Sequence, residues 1–322
     1  MPEPPGSLSA VTVVFEAEVP LVELQARSIA QHATRGLFEE YVVIDNTRAG
    51  LSPRARQRIR TELGRDGDLL SFTSADTLGV AEDLPASGWR SQQILKLMVA
   101  RLLTTDHYVV LDAKNHFIAS TAHADFFDWS TGRPHGGIHS FEAHPLRPQL
   151  EHVAIALGLD PALAVHRFTA TVPPVVLDRG VVNAVVADVG GGDPHRFPHE
   201  FERVGYTEYF LYSGWQIARG ASLDDLVTGR SLASPTVSAG TTGATDVRAV
   251  LHRADSSDTR TLAIHRRALA KLSPESVHDL AEFWTDHGLF DTSVDAERFI
   301  RRFRIAYMRA MGVERLRERM SR

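Results

Sequence analysis

The chain has 322 residues, 43% hydrophobic and 23% charged, and its 35 basic against 40 acidic side chains give a net charge of −5. This composition fits a globular protein of one large α/β domain or two smaller ones, without a general electrostatic attraction to nucleic acid. The absence of cysteine excludes disulfide frameworks, thiolate zinc sites and Cys nucleophiles together.

Residues 1–9 read as a disordered leader. Met1-Pro2-Glu3-Pro4-Pro5-Gly6 offers neither a basic n-region nor an apolar h-region, so no signal peptide is expected, and the expected location is cytoplasmic. No apolar run approaches the roughly 20 residues of a membrane-spanning helix. Ala10–Phe15 is a β-branched apolar run of the kind buried in parallel sheets, and Val22–Ala33 has helical spacing. Tyr41–Ile44 predicts a second strand ending in Asp45 and Asn46. Ser52-Pro53 reads as an N-cap and first helical position, opening a helix to about Leu63. Asp68–Phe72 predicts a third strand, Ser87–Leu103 an amphipathic helix, and His107–Leu111 a strand stopped by Asp112. Alternating strands and helices predict a doubly wound, mostly parallel sheet, whose ligands bind at the carboxyl ends of the strands. That rule selects Glu16, Asp45, Asn46, Asp112, Lys114 and Asn115.

The segment 116–150 reads as a long loop rich in His, Pro and Gly. Leu150–Leu157 and Arg179–Val189 look helical, the latter stopped by Gly190-Gly191-Gly192. Ser231–Thr245 reads as a mobile loop, and Val247–His252 with Thr261–His265 as a pair of strands. Helices are expected from Ser273 to about His287 and over Ser293–Arg319.

The lysines are three: Lys96, Lys114 and Lys271. Trp89, Gln92 or Gln93, and Lys96 fall on one helix face, and the next strand presents Asp112-Ala113-Lys114-Asn115 at its end. A helix face and a strand end meeting there suit a nucleotide diphosphate, whose charge Lys96 and Lys114 would oppose; a surface helix followed by an Asx turn is the plainer reading.

The stretch SGWRSQQILKLMVARLLTTDHYVVLDAKNHFI resembles the centre of a largely uncharacterised bacterial family of glycosyltransferases with the GT-A fold. Its members pair a G-W-x-x-Q-Q-x-x-K-L helix with a strand ending in L-D-x-(D/K)-x. Thr207-Glu208-Tyr209-Phe210-Leu211-Tyr212 is similar to the family's (S/T)-E-Y-x-x-Y segment, and the resemblance runs from about residue 10 to 290. It implies a GT-A-like α/β fold with a nucleotide-binding half (10–118), an acceptor half (119–290) and a C-terminal basic helix (291–322). It also implies transfer of a sugar from a nucleotide-diphosphate sugar to a glycan, lipid-linked or small-molecule hydroxyl acceptor.

In GT-A enzymes an Asp-x-Asp at the strand end holds a divalent metal. Asp112 matches its first Asp, but Lys114 stands in place of the second. Mg²⁺ and Mn²⁺ want several hard oxygen ligands, and an adjacent ammonium repels them. The expectation is that Lys114 itself neutralises the diphosphate, making the enzyme metal-independent. Two alternatives stand beside it: a Mn²⁺ or Mg²⁺ on Asp112, Asn115 and His265, and a degenerate site.

Glu208 lies among Tyr206, Tyr209 and Tyr212. A carboxylate among aromatics can have a raised pKa, which suits a base for an acceptor hydroxyl, and aromatic faces such as Tyr209 and Tyr212 stack on sugars. A solvated carboxylate beside core tyrosines is the plainer reading. Asp45 and Asn46 match the usual nucleobase or ribose contact, although Asx residues also favour turns locally. Glu16 has the same ambiguity.

Of the 15 histidines none forms H-E-x-x-H, and Pro198 spoils a helical metal face between His195 and His199. Three rival functions remain: a nucleotidyltransferase, a non-catalytic nucleotide- or glycan-binding protein, and a methyltransferase. The last rests on Ala187–Asp193, which resembles an S-adenosylmethionine loop, although Arg179–Val189 reads as a helix where that loop needs a strand and Asp193-Pro194 stands where a further Gly would open the next helix. Asp295–Arg322 carries nine Arg against four acidic residues, with Phe299, Phe303 and Tyr307 on one face. That face is expected to pack on the domain or, alternatively, to rest on an anionic membrane surface.

Overall fold

The computed structural model describes residues 6–85, 88–241 and 243–320, with the backbone alone from 313 onward. The central sheet begins with β1 (Leu8–Val14), β2 (Glu40–Asp45), β3 (Leu70–Ser74) and β4 (His107–Asp112). Between them lie α1 (Val19–His32), α2 (Pro53–Leu63) and α3 (Gly88–Met98). A tight turn leads to β5 (Asn115–Phe117). The next elements are β6 (Ile138–His139), α4 (Arg147–Ala156), α5 (Pro161–His166), β7 (Phe168–Thr169), β8 (Val175–Asp178), α6 (Arg179–Val189), α7 (Phe197–Val204) and α8 (Glu208–Ile217). The chain closes with α9 (Leu223–Leu226), β9 (Thr236–Val237), α10 (Ala244–Ala254), β10 (Thr261–Ile264), α11 (Arg266–Lys271), α12 (Pro274–Asp286) and α13 (Ser293–Met320).

The main sheet has the order β3-β2-β1-β4-β8. Its first four strands are parallel and β8 is antiparallel to β4. The β-branched residues of β1 are buried on both faces, as parallel strands flanked by helices require. Val11 and Val13 face the core shared with α3, α6 and α8, while Leu8, Ala10 and Val14 face α1 and α2. A third core unites α10, α12 and α13 around β10, which pairs antiparallel with β5 and parallel with β9.

Local signals acted as the sequence predicts at several helix starts. The Ser52 hydroxyl accepts the Ala55 N–H at 3.2 Å with Pro53 in the first turn, and Ser273 does the same for Ser276 before Pro274. Two expectations need correction, and two of the alternatives are not met. β1 starts at Leu8, so the last two leader residues are strand; Met1–Pro5 lie outside the described residues. Val247–His252 is not a strand: Val247, Val250, Leu251 and Ala254 recur at helical spacing and form the buried face of α10. The glycine run of Ala187–Asp193 leaves a helix, α6, as the sequence reads, and not the strand that an S-adenosylmethionine loop needs. As expected, Phe299, Phe303 and Tyr307 pack onto the domain, within the core of α12 and α13, so the alternative of that face on a membrane does not hold. No helix among the described residues is long and apolar enough to cross one.

Candidate functional site

The site is built on the turn between β4 and β5. Asn115 turns its side chain back so that its Oδ1 accepts the Asp112 N–H at 2.9 Å, while its Nδ2 donates to Ser234 Oγ at 2.9 Å. Gln25 of α1 donates its Nε2 to the carbonyls of Asp112 and Asn115, at 2.9 and 2.8 Å, and accepts from Tyr41 OH at 2.7 Å. These contacts satisfy the buried backbone of a four-residue turn. They hold Asp112 and Lys114 at the carboxyl end of a central parallel strand, the edge at which such sheets bind ligands.

The charges at this edge interlock. Asp112 receives Lys96 Nζ on Oδ1 at 2.9 Å and Lys114 Nζ on Oδ2 at 3.0 Å. Lys96 also lies 3.4 Å from Glu208 Oε1, and its ammonium stands 5.5 Å from the Tyr209 ring centroid. Lys96 is only 3% exposed, and its own backbone carbonyl accepts the Tyr108 hydroxyl. Burial alone would lower its pKa, but Asp112, Tyr209 and Glu208 outweigh burial and hold it well above the lysine value. Burial opposes ionisation of Asp112, yet the two lysines keep its pKa far below the carboxylate range. At Glu208 burial wins over Lys96, and its pKa is raised. Two ammonium and two carboxylate groups thus meet between α3, β4 and α8.

Lys96, expected on the donor side, is instead enclosed between two protein carboxylates, while Lys114 keeps 26% of its side chain exposed. Gln93 is fully buried, with neither its amide oxygen nor its nitrogen hydrogen-bonded to a described residue. Trp89, one turn earlier, is 51% exposed. Asp45 is consumed locally: it accepts the Thr47 hydroxyl and the backbone N–H groups of Thr47 and Leu51, so it shapes the loop after β2. Asn46 donates to Ser91 Oγ at 2.9 Å, tying that loop to α3, and Glu16 accepts the Arg48 N–H at 2.5 Å. Tyr209 and Tyr212 line a narrow cavity of about 30 Å³ together with Val172, Ser213, Ser231 and Leu232. The Tyr209 hydroxyl has no partner among the described residues; Tyr212 accepts the Asp178 N–H at 3.1 Å, and burial pushes its pKa up to about 12.

His265 caps α11 by accepting the Arg267 N–H on Nδ1 at 3.1 Å. Burial, with Arg266, Lys114 and Arg267, lowers its pKa to about 4. A neutral ring that accepts on Nδ1 carries its proton on Nε2, so His265 is a hydrogen-bond donor in this arrangement. A Mn²⁺ or Mg²⁺ on Asp112, Asn115 and His265 therefore fits poorly: both Asp112 oxygens face ammonium groups, Asn115 Oδ1 is taken by the backbone, and the basic nitrogen of His265 is taken by its cap. Among the described residues no group of three or more His, Asp or Glu is arranged to hold a metal ion.

Two members of this edge escape sequence reasoning. Glu18 pairs with Arg266 across 248 positions and lies near enough to Asp112 and Lys114 to feel both charges. Gln25 anchors the turn; a glutamine on the buried face of a predicted helix was the one available signal.

A protein-family model described as Family of unknown function (DUF6492) matches residues 8–238. No curated protein matches the sequence. Among solved structures, the galactosyltransferase LgtC in complex with donor and acceptor sugar analogs aligns with a TM-score of 0.40 at 14% identity, over 64% of this chain and 69% of that chain. An active-site mutant of LgtC gives a TM-score of 0.39 at 13% identity over the same shares. The apo structure of the bifunctional glycosyltransferase WbbM gives 0.44 at 12% identity, over 81% of this chain and 45% of that chain.

Proposed function

We propose that this chain, which belongs to the Family of unknown function (DUF6492), transfers a sugar from a nucleotide-diphosphate sugar to a hydroxyl acceptor. The observation that carries this reading is the meeting of Lys96 with Glu208, 112 positions away, at the strand end that also bears Asp112 and Lys114. The reading unites the two segments that resemble glycosyltransferases, the G-W-x-x-Q-Q-x-x-K-L helix and the T-E-Y segment, in one cluster.

In the proposed reaction the acceptor hydroxyl attacks the anomeric carbon while Glu208 accepts its proton. The bond from that carbon to the diphosphate oxygen breaks, and its electron pair leaves with the nucleotide. Lys114, the accessible ammonium, stabilises that departing charge without a metal, and the neutral His265 donates from Nε2. This displacement inverts the anomeric centre. Burial suits Glu208 to the role, because it raises the carboxylate's proton affinity. Trp89 offers an exposed ring face for stacking a nucleobase, and Asp45, Asn46 and Glu16 hold the neighbouring loops on the ribose side. Tyr209 and Tyr212 shape the acceptor side.

A second reading, a nucleotide- or glycan-binding protein without turnover, draws on the same clamp: a carboxylate saturated by two lysines is a quiet ion pair as well as a catalytic one. A panel of UDP- and GDP-sugars, assayed in EDTA for release of nucleoside diphosphate, separates the two. Turnover of one donor, reduced about 100-fold or more by Glu208→Gln with nucleotide affinity unchanged, supports the enzyme. Nucleotide binding with no release from any donor supports the binding protein.

A further inference from the structure

We propose that Lys96 is a positioning residue that couples capture of a diphosphate at Lys114 to release of the Glu208 carboxylate. The inference rests on the reading of Lys114 as the diphosphate-facing group. Its ground is a competition visible in the ion-pair distances. One buried ammonium serves two carboxylates, Asp112 at 2.9 Å and Glu208 at 3.4 Å, and Asp112 is in turn shared by two ammonium groups. The order in space is therefore Lys114, Asp112, Lys96, Glu208, with signs alternating. Lys96 is the side-chain partner of the Glu208 carboxylate among the described residues.

An anion that draws Lys114 away leaves Asp112 with Lys96 alone. Asp112 is largely buried and loses one of its two cations, so Lys96 commits its charge and its remaining donors to Asp112 and moves away from Glu208. The lysine can make that shift with its flexible stem while its backbone stays fixed by Tyr108. Glu208 then keeps its buried surroundings, the Tyr209 ring beside it and the Asp112 charge beyond, but loses its cation. It becomes a stronger base once the donor is in place. Before that, Lys96 stays paired with it, which protects a bound acceptor from unproductive deprotonation.

The test uses the 322-residue chain labelled with ¹³C at glutamate side chains, with inorganic pyrophosphate as the probe. The Glu208 signal is assigned by its loss in Glu208→Gln. In the wild type, saturating pyrophosphate is expected to raise the proton affinity of Glu208 by about tenfold or more. In Asp112→Asn, where Lys96 has no second carboxylate to turn to, the rise is expected to be much smaller. An equal rise in both proteins would mean direct repulsion by pyrophosphate and would overturn the coupling. A crystal structure of the wild type with pyrophosphate gives an independent check. Separation of Lys96 Nζ from Glu208 beyond 4 Å supports the shift, and retention of the present distance overturns it. Pyrophosphate that binds without moving Glu208 defeats this inference alone; pyrophosphate that does not bind defeats the donor reading as well.

Discussion

Removing the Lys96 ammonium would leave the buried Glu208 without an ion-pair partner among the described residues, and the part-buried Asp112 paired with Lys114 alone. Breaking a buried pair by deleting one partner costs about 3–5 kcal/mol, so Lys96→Met should lose stability on that scale in urea unfolding. Lys114→Ala removes a partly exposed ammonium and should cost less than about 1 kcal/mol. A comparable loss from both variants would show that burial is not what distinguishes the two lysines. At this scale the sequence was informative where residue types are scarce: with three lysines in the chain, two of them near Asp112 stand out. It could not tell which lysine is enclosed, because Glu208 reaches Lys96 only through the packing of α8 on α3. Asp45 shows the opposite limit. Its place at a strand end fits a ligand contact and a loop brace equally, and its hydrogen bonds reveal the brace.

The strands and capped helices of the first half were legible because each carries a local signal, such as the Ser52-Pro53 start or the valine-rich run of β1. Val247–His252 is helical where a strand is expected because a short apolar run with valines suits either periodicity, and the buried positions of α10 become visible only over eight residues. The pairing of β5 with β10 joins positions 115–117 to 261–263, a contact no local pattern encodes. It buries His116 against Trp284, whose Nε1–H donates to His116 Nε2 at 2.9 Å. Burial lowers the His116 pKa to about 3. A folded pKa below the unfolded value of 6.5 means the unfolded chain binds the proton first, so this stability is present above pH 6.5 and lost as pH falls toward 3. Between pH 5.5 and 4 the His116→Gln variant, which keeps an acceptor for Trp284, should lose less stability than the wild type, by about 1.4 kcal/mol per pH unit. Identical slopes from tryptophan fluorescence melts would show that His116 is already charged in the fold.

Across the whole molecule, a parallel sheet covered on both faces leaves its carboxyl edge as the place where loops from distant segments converge. α1 supplies Gln25, α3 supplies Lys96, the β4–β5 turn supplies Asp112 and Lys114, and α8 supplies Glu208. The order of strands and helices was enough to point to that edge. It was not enough to show that the charges there cancel one another within the protein, which is the feature that the proposed metal-free chemistry depends on. The most direct measurement is a calorimetric titration of UDP and GDP into the protein in EDTA and again with Mn²⁺, on the wild type and Lys114→Ala. The account predicts binding in EDTA that Mn²⁺ does not strengthen and that Lys114→Ala abolishes. Binding that requires Mn²⁺, or that survives the loss of Lys114 unchanged, would contradict it.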